Sequence, residues 1–157
     1  MKERQKKKAI EITRTELVLP NMTNVHGTMF GGKVLEMMDM TCAIAAMRFC
    51  RKPVVTISSE HVDFKVPIRA GSVIEMKAKV VYTGTTSMAV KVTLHSQHPA
   101  EESSRLSTTG FFNFVALDRT GRHAVPVPEL IVEGEEAQAD WEHAMRLREF
   151  RLKQKDR

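Results

Sequence analysis

The sequence predicts an α+β fold in which one antiparallel sheet wraps a long central helix and a further helix lies at the C-terminal periphery. Two observations carry this. The segment Lys33 to Cys50 contains good helix formers and no Gly or Pro, with apolar residues around most of its circumference. It is followed by successive runs in which apolar residues recur at every second position, the period of a strand. At 157 residues the chain is sized for one domain around one core.

In order, residues 1–10 read as a basic N-terminal tail, solvated and mobile. Residues 11–130 form the domain, and 131–157 a C-terminal helical extension. Glu11 to Pro20, rich in Ile, Thr, Val and Leu, reads as a first strand closed by a turn. The loop Asn21 to Met29 leads to Gly31 and Gly32, which open the helix. Met37, Met38, Met40, Cys42, Ala43, Ile44, Ala45, Ala46 and Met47 surround most of that helix, which must therefore be buried on nearly all sides. Val54 to Phe64 is the next strand, closed by the turn signal Pro67 to Gly71.

Ile74, Met76, Ala78, Val80 and Tyr82 then alternate with Glu75, Lys77 and Lys79. After a turn at Gly84, Met88, Val90, Val92 and Leu94 alternate with Ala89, Lys91, Thr93 and His95, which makes a hairpin. Leu106 to Leu117 is apolar on both faces in its second half, as in a central or covered strand. Asp118 to Arg122 turns, Pro126 and Pro128 break regular structure, and Glu135 to Lys155 is a peripheral or partner-packing helix. One sheet cannot enclose the central helix, so a second copy is expected to cover its remaining face.

Composition excludes several classes. No apolar run approaches the roughly 20 residues that cross a bilayer. The N-terminus lacks the apolar region of a secretory signal, so a cytoplasmic protein with no membrane association is expected. Cys42 and Cys50 would lie about 12 Å apart on one helix and cannot pair within it. The formal charge of +5 comes from Lys2 to Lys8 and Arg146 to Arg157, and a single Tyr and a single Trp argue against base stacking and a nucleic-acid partner. A phosphate-bearing ligand stays open. His61 and Asp63 share a strand face, but no third ligand is signalled, so no metal is expected. No G-x-S-x-G elbow is present for a serine nucleophile.

Asp39 is the only charged residue between Met37 and Met47. A lone buried charge is costly, so Asp39 must be paired, open to a crevice, or kept because its ionisation is used. A structural Asp bonded across a subunit seam fits the same pattern. Ahead of the helix, Asn24-Val25-His26-Gly27-Thr28-Met29-Phe30-Gly31-Gly32 allows close backbone approach and presents free helix N-terminal amides, which can stabilise an oxyanion.

The runs HGTMFGGKVLEMMDMTCAIAAMRFC, VVTISSEHVDFKVPIRAGSVIEMKAKVVYTGTTSMAVKV and FFNFVALDRTGRHAVPVPEL resemble the hotdog-fold acyl-CoA thioesterases, in the branch of the brain acyl-CoA hydrolases and their bacterial relatives. The resemblance spans Leu19 to Leu130. It implies a hotdog fold and hydrolysis of acyl-CoA to free fatty acid and coenzyme A without a cofactor. Asp39 falls on the family's catalytic aspartate, acting as general base or nucleophile, and Gly31 and Gly32 on the glycines that polarise the thioester carbonyl. Asn24 and His26 fall in the loop before the helix, with Phe30 at its end. Thr28 stands where the family sometimes supplies an Asn, which leaves the partner of Asp39 open among Asn24, His26 and Thr28, Asn24 being the first choice.

Thr56 to Phe64, including Ser58 and Ser59, resembles the strand along which pantetheine runs, and Thr86 and Ser87 the turn near the nucleotide. Arg69, Lys91 and Arg122 are phosphate contacts by charge. The resemblance also implies a homodimer as the minimal unit and a homohexamer, a trimer of dimers, beyond it. Two other functions compete: a hotdog acyl-CoA hydratase, whose Asp and His loop motif is not found here, and a non-catalytic acyl-CoA-binding module. A DNA-reading regulator is disfavoured, since about ten basic residues cannot form a helix-turn-helix.

Overall fold

The computed structural model describes residues 3–156. Met1, Lys2 and Arg157, the outermost residues of the two basic ends, lie outside the described residues. The elements run β1 (Lys6–Lys7), β2 (Ile12–Leu17), a 3-10 turn (Pro20–Met22), α1 (Gly31–Cys50), β3 (Val54–Phe64), β4 (Val73–Thr83), β5 (Ser87–Gln97), β6 (Arg105–Ala116), β7 (Glu129–Leu130) and α2 (Glu135–Lys155). Five strands form an antiparallel sheet in the order β2-β4-β5-β6-β3, with β3 and β2 at its edges. This is the expected hotdog architecture, α1 lying in the concave face of the sheet.

The alternation read from the sequence places the core. Ile74, Met76, Ala78 and Val80 of β4, Val90, Val92 and Leu94 of β5, and Phe112 and Phe114 of β6 are buried with Val34, Met37, Met38, Cys42 and Ala46 of α1. Gly110 lets helix and sheet close up: a Cβ there would meet the Met38 side chain at 3.2 Å and Val62 at 3.1 Å. The other face of the sheet carries Val81, Ala89 and Phe111, which α2 covers with Ala144 and Leu147. Glu135 and Glu136 in the first turn of α2 and Lys153 and Lys155 in its last suit the helix dipole.

Three features differ from the expectations. Tyr82 does not share the inner face of β4, because a bulge at Val81 reverses the alternation and turns Tyr82 outward against Trp141 of α2, ring centroids 5.5 Å apart. The N-terminal segment is placed rather than free. Lys6 and Lys7 pair in parallel with Glu129 and Leu130, Arg4 donates to the Gly84 carbonyl at 2.6 Å, and Lys7 Nζ donates to the Phe49 carbonyl at 2.8 Å. The Lys7 bond puts positive charge on a carbonyl at the C-terminal end of α1, where the dipole favours it. Finally, α1 is not enclosed on all sides in the single chain. Leu35, Met40 and Met47 along one flank are 36%, 51% and 41% exposed, as is much of edge strand β3 beside them.

Candidate active site

Asp39 stands on the open flank of α1, half buried, and its Oδ1 accepts a hydrogen bond of 2.8 Å from the Thr56 hydroxyl of β3. The carboxylate is thus paired and also reachable. Within the chain, among the described residues, no hydrogen bond joins Asn24, His26 or Thr28 to Asp39, and Thr56 holds it. Thr56 lay in a stretch read as substrate-binding but was not singled out. No sequence signal marks it, since its facing is set by pairing with Phe114 of β6.

Asn24 organises its own loop. Its Oδ1 accepts from the backbone amides of His26 (2.9 Å) and Thr28 (3.3 Å), and its Nδ2 donates to Thr28 Oγ1 at 3.0 Å. Gly27, at φ +74°, supplies the left-handed residue this turn needs. Bonds from Met29 N–H to the Ile68 carbonyl and from Ala70 N–H to the Gly27 carbonyl anchor the loop to the rim of the sheet. His26 is exposed at the tip.

The loop delivers the chain into α1. Phe30 precedes the helix without a side-chain cap, its carbonyl accepting from Lys33 and Val34 N–H. The amides of Gly31 and Gly32 therefore have no backbone acceptor among the described residues. The rings of Phe30 and Phe64, each more than half exposed, flank them: a Cβ on Gly32 would meet the Phe30 ring at 2.6 Å, and one on Gly31 the Phe64 ring at 3.8 Å. From Gly32 to Asp39 the helix rises about 10 Å.

Other expected site residues are distributed. A second bulge, at Ile57, separates the two serines: Ser59 pairs with Phe112 on the α1 face, while Ser58 pairs with Asn113 and faces away from Asp39, toward α2. His61 sits in a further irregularity at φ +50° and packs against His143 of α2, so its use is structural. Thr86 and Ser87 lie at the opposite end of the sheet from Gly31, where the Thr86 carbonyl accepts from Ala116 N–H and Ala116 pairs with Val54. The eleven residues of β3 put that end roughly 33 Å from Phe64. Arg122 is exposed in a turn organised by Asp118. Arg69 is bound at 3.2 Å to Glu101, a carboxylate it shares with Arg105, and Lys91 is bound to Asp140 at 2.8 Å, so both cations are already paired.

A groove of about 960 Å³ opens at the C-terminal end of α1 beside Thr85, lined by Phe49, Val127 and Pro128, with Arg4, Lys7, Arg51 and Lys52 and one carboxylate, Glu3, around it. None of these four cations pairs with a carboxylate among the described residues. No three His, Cys, Asp or Glu side chains among the described residues are grouped to hold a metal ion, and no described helix is long and apolar enough to cross a membrane. Cys42 and Cys50 are free and buried. Burial pushes both thiols up, that of Cys42 well above the ordinary value with the Asp39 charge adding to it, which makes them poor nucleophiles.

The Thioesterase superfamily profile matches residues 26–103, the stretch that holds the end of the loop, α1, β3 and the β4-β5 hairpin. An uncharacterized acyl-CoA thioester hydrolase of Bacillus subtilis is 39% identical over 129 residues, 82% of this chain and 74% of the relative. The chain belongs to the acyl-CoA thioester hydrolases of the thioesterase superfamily. Solved structures of the family superpose on it. A hexameric acyl-CoA thioesterase without ligand is 38% identical with a TM-score of 0.90, covering 96% of this chain and 97% of that one. The acyl-CoA hydrolase of Staphylococcus aureus, in complex with butyryl coenzyme A and coenzyme A, is 32% identical with a TM-score of 0.83 over 93% of this chain and 91% of that one. Forms of that hydrolase with an Asn, an Asp or a Thr replaced by Ala have also been solved. The present thioesterase is an enzyme that hydrolyses the acyl-CoA thioester bond.

Proposed function

We propose that Asp39, held by Thr56, is the general base of this thioesterase and that the site is completed by a second copy of the chain. The carrying observation is the position of the Asp39-Thr56 pair on the one flank of α1 left open by the sheet. Asp39 takes a proton from water as it attacks the thioester carbonyl. The oxyanion that forms is met by the free amides of Gly31 and Gly32, and its collapse expels the coenzyme A thiolate, which recovers the proton from Asp39.

Within one chain about 10 Å of helix separates these amides from Asp39, too far for one carbonyl group to use both. A two-fold axis beside β3 would bring the Asn24 loop and amides of one protomer to Asp39 of the other. It would also cover Leu35, Met40 and Met47 and occupy the unpaired edge of β3, which explains why an apolar flank is tolerated. The hexameric relative supports an assembly of this kind. The Asn, Asp and Thr replaced in the Staphylococcus aureus hydrolase follow one another at the same separations as Asn24, Asp39 and Thr56, which supports their grouping into one site.

For the nucleotide end of coenzyme A, the groove ringed by Arg4, Lys7, Arg51 and Lys52 suits phosphates better than Arg69 or Lys91, which are already paired. Two unbridged cysteines fit a cytoplasmic setting.

Asp39→Asn tests the mechanism. Turnover of an acyl-CoA, followed by thiol release, should fall by orders of magnitude while melting temperature and assembly stay as in the parent. Undiminished turnover would eliminate Asp39 as the base. Under single turnover in heavy-oxygen water, label entering the Asp39 carboxylate would show an acyl-aspartyl anhydride and refute the general-base role, and trapping of the acyl group on the protein by hydroxylamine would do the same.

A further inference from the structure

A helix C-terminus presents free carbonyls and the negative end of the dipole, so on electrostatic grounds it repels phosphate. The groove at the end of α1 nevertheless carries four cations against the carboxylate of Glu3. Two of them belong to the helix end itself: Arg51, left-handed at φ +58°, is the C-cap, and Lys52 follows it. The other two, Arg4 and Lys7, come from the far end of the sequence. They are carried by residues 3–8, a strap that forms a separate wall of the groove.

The backbone fixes this strap. The carbonyls of Gln5 and Lys7 accept from the Glu129 and Ile131 N–H groups at 2.8 and 2.9 Å. From that anchor Lys7 reaches α1, where its Nζ donates to the Phe49 carbonyl at 2.8 Å and the Arg48 carbonyl at 3.4 Å and lies 5.7 Å from the centre of the Phe49 ring. Carbonyls in the last turn of the helix, which would otherwise face an incoming anion, are thus covered by an ammonium group. Arg4 reaches the β4-β5 turn, its Nη1 donating to the Gly84 carbonyl at 2.6 Å and the Val127 carbonyl at 3.5 Å. Its Nε and Nη2 have no acceptor among the described residues, so most of its donor fork remains for a ligand.

We propose that the N-terminal strap is a working wall of the coenzyme A site: Lys7 reverses the sign of the α1 terminus, Arg4 adds free donors, and together they give this enzyme its preference for coenzyme A thioesters over thioesters of pantetheine alone. The inference rests on the reading of the groove as the place of the nucleotide and deepens it. From Asp39 to Arg51 the helix rises about 18 Å, a span that an extended pantetheine arm covers. Arg4 and Lys7 precede the stretch matched by the family profile, whereas Arg51 and Lys52 lie within it.

The experiment compares the full-length chain with its Arg4→Gln, Lys7→Gln double variant, read as the ratio of kcat/KM for one acyl-CoA to kcat/KM for the matching acyl-pantetheine. Gln keeps a donor for each backbone carbonyl and removes the charge, so the strap stays tied while the phosphate contact is lost. The ratio should fall about ten-fold, through KM for the acyl-CoA and not through kcat. Lys7→Arg should keep the ratio, and added salt should erode it more in the parent than in the double variant. Melting temperature and sedimentation report on the fold. Should the double variant fail to fold, Arg4→Gln and Lys7→Gln are read singly, each lowering the ratio about three-fold. An unchanged ratio in a folded variant, or equal losses on both substrates, would overturn the role of the strap while a fall in Arg51→Gln, Lys52→Gln left the groove in place. No fall in either pair would remove the groove reading as well, and is a separate result.

Discussion

Replacing Thr56 by Val removes one hydroxyl at nearly constant volume, and with it the only side-chain hydrogen bond that Asp39 accepts within the described chain. A hydrogen bond to a charged group is worth about 1.5–3 kcal/mol, and since both residues keep solvent contact in the single chain the lower figure applies. About 1.5 kcal/mol corresponds to roughly ten-fold in rate. The loss should appear in kcat, because the bond orients the carboxylate that takes the proton and does not contact the acyl chain or nucleotide. The assay is thiol release over a concentration series of one acyl-CoA, with sedimentation and thermal melting to show intact assembly. Thr56→Ser, which restores the hydroxyl, should recover most of the rate. Unchanged kcat in Thr56→Val, or a loss confined to KM, would refute the argument that Thr56 sets the geometry of Asp39.

Met40→Lys places a charge on the open flank of α1 beside Asp39 and should shift sedimentation toward monomer and reduce turnover in parallel; a monomeric variant with full turnover would exclude a site shared between protomers. The double variant Arg51→Gln, Lys52→Gln should raise KM for acyl-CoA several-fold and leave the turnover of the matching acyl-pantetheine, which lacks the nucleotide, unaffected; equal effects on both would remove the groove from substrate binding. His143, between His61 and Phe111, is held below the ordinary histidine value of 6.5, first by burial and then by the charges of His61, Arg146 and Lys91. A depressed histidine stabilises the fold fully above its unfolded value, and that contribution is lost as pH falls through the lower folded one. Thermal melting should therefore decline with acidification through this window, and His143→Phe should flatten the decline; an identical pH profile in that variant would show that the His61-His143 contact does not link α2 docking to pH.

Periodicity by itself determined most of the architecture. Apolar residues two apart in β4 and β5 must lie on one face of a strand, and the many Met and Ala residues around α1 require cover on more sides than a surface helix has. Asp39 was visible for the same reason, as one charge in an apolar helix. Glycines before α1 marked the free amides, and a side chain at Gly32 would meet the Phe30 ring. Only the tertiary structure decided where the alternation breaks. The bulges at Ile57 and Val81 and the left-handed His61 arise where two stretches of one strand are anchored to different partners, and a count along one chain cannot sense the mismatch. That mismatch turns Tyr82 to α2 and sends Ser58 away from the face that Thr56 shares with Asp39. Charge shows the same division: composition gave a basic N-terminus, but its fate was settled by the carbonyls that α1 and the β4-β5 turn present to Lys7 and Arg4, groups that exist as acceptors only once the helix has ended and the sheet has closed.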